Sequence, residues 1–229
     1  MNILAIDTSS KYFCLVIGKA DKIAVSIQLP FLRELSRKIM PAIDAALKRS
    51  KLSLKEIDCF GIGLGPGSFT GLRVGFAVIK GLILPFNKPI VAVGSLDLIA
   101  DSIGNESGCV CPLVDARRSL VYSAAYNKND GKLIRKTRYL LVSIEELLGR
   151  LSLKGKVAFS GDGLDLYSDL IKKKLGRLAN FADRSLWYPE PESLLHCVKE
   201  KIKNKEFSDL HKLVPLYLYP KECQIGSSK

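Results

Sequence analysis

Two aspartates, two glycine-rich loops and a pair of arginines are the residues of this chain best placed for chemistry. Asp7 closes the apolar run Ile3-Leu4-Ala5-Ile6, and Asp115 closes Cys111-Pro112-Leu113-Val114. A carboxylate ending a buried strand can hold Mg²⁺ or take a proton, as phosphoryl transfer requires; it is as often a turn former. Gly65-Pro66-Gly67-Ser68-Phe69-Thr70-Gly71 leads into an apolar helix that carries Arg73. Pro66 fixes φ and the glycines allow angles that a Cβ forbids, so the turn is sharp. Ser68 and Thr70 are good N-caps, and the free amides of the first turn would point back at the glycines, where an anion could sit. Gly71-Leu72 stands where a Walker A loop needs Lys followed by Ser or Thr, which excludes a P-loop. Gly161-Asp162-Gly163 is a second, weaker candidate for a nucleotide loop, and Arg117-Arg118 follow Asp115 closely enough to meet an anion.

Metal and nucleophile chemistry find little support. The two histidines, His196 and His211, lack ligand spacing and lie near no candidate Ser or Cys in a readable motif. Cys14, Cys59, Cys109, Cys111, Cys197 and Cys223 form no CxxC pair and mostly occupy apolar strand-like runs, as reduced, buried cysteines do. Cys109 and Cys111 share a strand face, but no partner pair follows to complete a metal site.

The 229 residues are 47% hydrophobic and 25% charged, enough for one large domain or two small ones. No uncharged run reaches the 18 residues or so of a membrane span, and the start lacks a basic region and meets Asp7 early, so a cytoplasmic protein is expected. The net charge of +12 is diffuse: 13 Lys/Arg face 7 Asp/Glu in residues 1–100, and 22 face 16 in the remainder. That favours weak, salt-sensitive attraction to nucleic acid or acidic partners without a base-reading element. Lys172-Lys173-Lys174 and the lysines from 199 to 205 read as solvated helix surface.

Strands are predicted over 2–7, 12–18 and 22–28, then an amphipathic helix over 31–50 with Leu32, Leu35, Ile39, Ile43, Ala46 and Leu47 at helical spacing. A strand over 59–64, the glycine turn, a helix over 70–84, a strand over 89–93 and a helix N-capped by Ser95 complete the order βββαβαβα. The second half repeats it, with strands over 108–115, 119–126 and 132–142, a helix over 143–151, a strand over 156–159 and a helix over 163–175. The segment from Leu4 to Val16 also aligns without gaps on Pro112 to Ala124, each an apolar strand ending in Asp, a polar turn and another apolar strand. Duplication follows. The expected fold is α/β, a duplicated ribonuclease-H-like fold of the actin, Hsp70 and sugar-kinase type with a reduced second half. Residues 1–104 form the first subdomain and 105–229 the second, with the return of the C-terminal tail to the first left open.

Gly65-Pro-Gly-Ser-Phe-Thr-Gly-Leu-Arg-Val-Gly75, with Ile3-Leu-Ala-Ile-Asp-Thr-Ser9 before it and Asp115-Ala-Arg-Arg118 after it, resembles the TsaB (YeaZ) family. The resemblance spans the chain to Pro215-Leu-Tyr-Leu-Tyr-Pro220. It implies a non-catalytic subunit that pairs with the catalytic, metal- and nucleotide-binding TsaD-like protein. The reaction is threonylcarbamoyl transfer to adenosine 37 of tRNAs that read codons starting with A. It further implies a TsaE-like ATPase as partner and no cofactor bound by this chain alone. Homodimerisation of the isolated chain, ATP or ADP at the partner interface and direct contact with tRNA stay open. Asp7, Thr8, Ser9, Asp115, Arg117 and Arg118 become a vestigial cleft with no catalytic residue. The helix over 31–50 carries no histidine where TsaD-like proteins carry two metal ligands, so no metal is expected.

The same resemblance implies that the helices over 31–50 and 70–84 bind the partner, through Leu35, Ile39, Ile43, Leu47, Gly71, Leu72, Gly75, Val78 and Ile79. Gly71 and Gly75 share one helix face, and two such residues suit a close approach by another helix or by the chain's own sheet. The rival functions are weaker. An autonomous ATP-dependent phosphotransferase would use Asp7, Asp115 and Gly161-Asp162-Gly163. A ribonuclease-H-type nuclease lacks its second carboxylate, replaced by Gly65-Pro66. A peptidase has no nucleophile–base pair.

Overall fold

The computed structural model describes residues 1–30, 34–103, 108–129, 131–151 and 155–220. The expected helix start at Phe31, Leu32 and Arg33, and Cys223, lie outside them. The chain forms two compact units, Met1–Ser102 with Tyr188–Pro215, and Ile103–Trp187 with the segment from Leu216.

In the first unit, β1 (Asn2–Asp7), β2 (Tyr12–Lys19), β3 (Lys22–Pro30), β4 (Cys59–Gly63) and β5 (Ile90–Val93) make a sheet ordered β3-β2-β1-β4-β5. β1, β2 and β3 are antiparallel neighbours, and β4 and β5 run parallel to β1. Side chains alternate across a strand, so β1 serves both faces of the sheet. Leu4 and Ile6 join the core under α1 (Leu35–Ser50) and α2 (Phe69–Ile83). Ile3 and Ala5 join the core with Leu98 of α3 (Ser95–Ser102) and Leu194, Leu195 and Val198 of α6 (Pro191–Lys203). Burial on both sides explains why the run from Ile3 to Ile6 has no polar alternation.

The second unit contains β6 (Gly108–Arg117), β7 (Leu120–Ser123), β8 (Tyr126–Asn129), β9 (Lys132–Arg135), β10 (Leu140–Val142), α4 (Ile144–Arg150), β11 (Val157–Ser160), α5 (Leu164–Leu175) and β12 (Ala179–Phe181). The main path, β10-β7-β6-β11-β12, has the strand order of the first sheet. The duplication expected from the sequence is therefore present in the topology. Two expected strands are each broken in two. β7 and β8 follow one register along β6, which pairs Leu113 with Ser123 and Val110 with Tyr126. Pro112 lies between those pairs and has no N–H to donate, so the ladder lapses there. β9 and β10 are separated where Thr137 Oγ1 accepts the Ala125 N–H at 2.9 Å in place of a strand partner.

The tail corrects the expected boundary, because α6 packs within the first unit, not the second. A Cβ on Gly61 would stand 2.6 Å from Val198 Cγ2, and one on Gly18 would stand 2.8 Å from Leu195 Cδ1. The side chains of α6 fill the space over these two glycines, so a larger residue at either position would have to displace Leu195 or Val198.

Candidate functional site

The glycine-rich motif and the β1–β2 turn form one closed structure. Asp7 is fully buried; its Oδ1 accepts the Ser9 N–H at 2.8 Å and the Ser9 hydroxyl at 2.7 Å, and its Oδ2 accepts the Ser95 hydroxyl at 2.7 Å. Ser95 was expected as an N-cap, but it is the first residue of α3 and its hydroxyl bridges Asp7 to Gly65, whose N–H it accepts at 3.1 Å. Burial raises the Asp7 pKa, and the hydrogen bonds from Ser95 and Ser9 oppose it.

The glycines serve this contact. A Cβ would meet Asp7 Oδ2 at 1.7 Å from Gly63, Ser9 O at 2.2 Å from Gly67, Thr8 O at 2.1 Å from Gly71 and Thr8 Oγ1 at 2.2 Å from Gly75. Ser68 caps α2 by accepting the Gly71 N–H at 3.2 Å and donates its own N–H to Ser9 O at 2.7 Å. Two of the donors that an anion would use are thereby taken up within the chain. The Gly65–Pro66 bond is cis. Thr70 and Arg73 face outward, with the Arg73 guanidinium 4.0 Å from the centre of the Phe69 ring.

The second unit repeats the turn. Asp115 Oδ1 accepts the Arg117 N–H at 2.8 Å, the bond that Ser9 gives Asp7, and Asp115 Oδ2 pairs with Arg117 Nη1 at 3.1 Å. The Asp115 N–H goes to Asp162 Oδ1 at 3.0 Å, and the Gly163 N–H goes to Leu113 O at 2.9 Å. A Cβ on Gly161, at φ +115°, would stand 2.3 Å from Leu113 O. Gly161-Asp162-Gly163 is thus laid against β6. Arg117, Arg118 and Ser119 have φ of +66°, +52° and +59° and form an exposed turn. Tyr219 donates its hydroxyl to Ala116 O at 2.9 Å and to Arg117 O at 3.2 Å, a support not foreseen from the sequence.

The expected partner-binding residues mostly point the other way. Leu35, Ile39, Ile43, Leu47, Leu72 and Ile79 are buried in the chain's own core, and Gly71 and Gly75 are buried against Thr8. Of that set only Val78 reaches the surface in part. The outer side of α2 instead carries exposed Ala77 and Gly81 beside half-buried Val74 and Val78, and α1 adds exposed Met40 and Ala45. Gly81 has open space where its Cβ would be. Apolar residues cover most of α2, with only Thr70, Arg73 and Lys80 to mark a polar side, so periodicity separates its two sides poorly.

The cysteines divide by burial. Cys14, Cys59 and Cys111 are buried, and burial raises all three thiols, Cys59 and Cys111 to about 12. Cys109 and Cys197 are half-buried. Asp101, His196 and Cys197 converge in the first unit, a cluster of three ligand types that sequence reading missed because α3 and α6 are 95 positions apart at this contact.

A family model described as TsaD, tRNA N6-adenosine threonylcarbamoyltransferase, matches residues 31–226. The tRNA threonylcarbamoyladenosine biosynthesis protein TsaB of Bacillus subtilis is 30% identical over 225 residues, 98% of this chain and 96% of that protein. This chain belongs to the TsaB family. The TsaB of Escherichia coli is 33% identical over 133 residues, 57% of each chain. Among solved structures, YeaZ from Pseudomonas aeruginosa superposes with a TM-score of 0.82 at 23% identity, over 95% of this chain and 99% of that one. That agreement concerns the fold. Component A of (R)-2-hydroxyglutaryl-CoA dehydratase from Acidaminococcus fermentans, at a TM-score of 0.51 and 10% identity over 88% of this chain and 99% of its own, shares the fold alone. Among the described residues no helix is long and apolar enough to cross a membrane.

Proposed function

We propose that this chain is the non-catalytic subunit of a tRNA-modifying assembly, pairing with a TsaD-like catalytic protein that transfers threonylcarbamoyl to adenosine 37 of tRNAs reading codons that start with A. The full-length similarity to the Bacillus subtilis TsaB protein carries this reading. The chemistry of the two turns supports it. Asp7 is buried with both oxygens hydrogen-bonded inside the chain, and Asp115 is tied to Arg117 and Asp162, so each carboxylate builds a turn. The autonomous phosphotransferase fits less well, since its nucleotide loop, Gly161-Asp162-Gly163, rests on β6.

The partner meets the outer side of α1 and α2, where Met40, Ala45, Val74, Ala77, Val78 and Gly81 offer small apolar surface. A TsaE-like ATPase and tRNA join through the assembly, with ATP or ADP held by the complex and not by this chain alone, in the cytoplasm. The test is co-purification with a TsaD-like protein, then a threonylcarbamoyl-transfer assay with and without this chain. Transfer that requires the chain, together with no ATP turnover by the chain alone, is the expected result. Full transfer in its absence, or ATP turnover by the isolated chain, would overturn the reading.

A further inference from the structure

Asp101 lies in the last turns of α3, and His196 and Cys197 are consecutive residues of α6. One ligand atom from each lies within 4.8 Å of the other two, and His196 Nδ1 stands 3.0 Å from Asp101 Oδ2. We propose that these three side chains form a Zn²⁺ site in the first unit, independent of the partner surface on α1 and α2.

Imidazole nitrogen, carboxylate oxygen and thiolate sulfur are the three ligand types that Zn²⁺ takes from proteins. Bonds of ~2.0–2.3 Å at tetrahedral angles put ligand atoms roughly 3.3–3.7 Å apart. With all three atoms within 4.8 Å of one another, the cluster reaches that geometry by small side-chain shifts, the 3.0 Å Asp–His contact opening slightly. Exposure is graded in a useful way: the Asp101 side chain is 11% exposed and His196 54%. The carboxylate is held in place while the imidazole has room to turn, and the open side leaves the fourth position to water. Binding exchanges the Cys197 S–H bond for an S–Zn bond and releases the proton to solvent. One carboxylate and one thiolate then neutralise the ion, with the imidazole neutral.

The consequence is mechanical. α6 follows β12 of the second unit in sequence but packs beside α3 in the first, and the ion would clamp the two helices together. An ordinary His196–Asp101 ion pair would not involve Cys197, so the thiol separates the two accounts.

The test uses the full chain, reduced and stripped with a chelator, titrated with CoCl₂ and then ZnCl₂. The expected result is a saturable thiolate-to-cobalt charge-transfer band at one equivalent, displaced by Zn²⁺, and a melting temperature that rises with Zn²⁺. Cys197→Ser should abolish the band, His196→Ala should weaken Zn²⁺ binding at least tenfold, and Cys109→Ser should leave both unchanged. Matched metal-free melting temperatures for parent and variants would show that each variant folds. The absence of a saturable band in the parent, a band that survives Cys197→Ser, or Zn²⁺ affinity unchanged by His196→Ala would each overturn the site.

Discussion

Gly75 of α2 lies directly over Thr8 of the β1–β2 turn, so close that a Cβ on Gly75 would stand 2.2 Å from Thr8 Oγ1 and 3.1 Å from its Cγ2. The contact joins the helix that follows the glycine-rich loop to the β1–β2 turn, and it turns the glycine pair Gly71 and Gly75 inward. Gly75→Leu should therefore lose thermal stability first, by ~1–3 kcal/mol or more, with partner binding falling only as a consequence. For a chain of this size each kcal/mol lowers Tm by about 2–4 °C, which calorimetry resolves. A variant with the parent's Tm that fails to co-elute with the TsaD-like protein would contradict this placement.

Gly81 tests the opposite side of the same helix. Its Cβ position is open, so Gly81→Arg should keep or raise Tm, since glycine costs about 1 kcal/mol in a helix interior. The bulk and charge should nevertheless weaken pairing with the TsaD-like protein by roughly ten- to a hundredfold if the outer side of α2 is the interface. Affinity equal to that of the parent in a binding titration would remove α2 from the interface.

Asp7 gives a pH signature. Its folded pKa is raised above the ordinary value of 3.8, chiefly by burial. The stability it contributes is thus fully present below that value and is lost as pH rises through the folded pKa. Asp7→Asn keeps hydrogen-bonding capacity without the titration. Urea denaturation from about pH 4 to about pH 7 should show the stability difference moving in favour of the variant as pH rises. Parallel curves would mean that Asp7 ionises in the fold without cost.

Arg117 and Arg118 test for phosphate contact. Their turn is supported by the Asp115 carboxylate and the Tyr219 hydroxyl. The Arg117 side chain is 87% exposed, so its ion pair with Asp115 contributes ~0–1 kcal/mol and reversal of both charges should leave Tm nearly unchanged. Tyr219→Phe serves as the comparison for a loosened turn. If the arginines meet tRNA phosphate, Arg117→Glu with Arg118→Glu should reduce tRNA-dependent transfer by the assembled complex, most at low salt. Equal activity at low salt would leave a solvated hairpin tip.

The repeat and the turn chemistry are legible in the amino-acid order alone. Alternation and apolar runs over β1, β2 and β3, helical spacing over α1, and the Gly65–Gly67 breaker are local signals, and the gapless match of Leu4–Val16 with Pro112–Ala124 places Asp7 and Asp115 at equivalent turns. Which way those elements face is set by packing between layers. α2 is apolar on most sides, with only Thr70, Arg73 and Lys80 to mark a polar one, so its period gives little direction; Thr8 occupies the Gly71 and Gly75 side, and that leaves Ala77 and Gly81 outward. Pro112 divides a strand through a hydrogen bond missing from its neighbour, which is a property of pairing and not of either segment alone. α6 seats Leu195 and Val198 over glycines at positions 18 and 61, remote from them in sequence, and the same packing brings Asp101 to His196 and Cys197. Spacing along a chain cannot report such approaches, because they are made by the packing of side chains across layers.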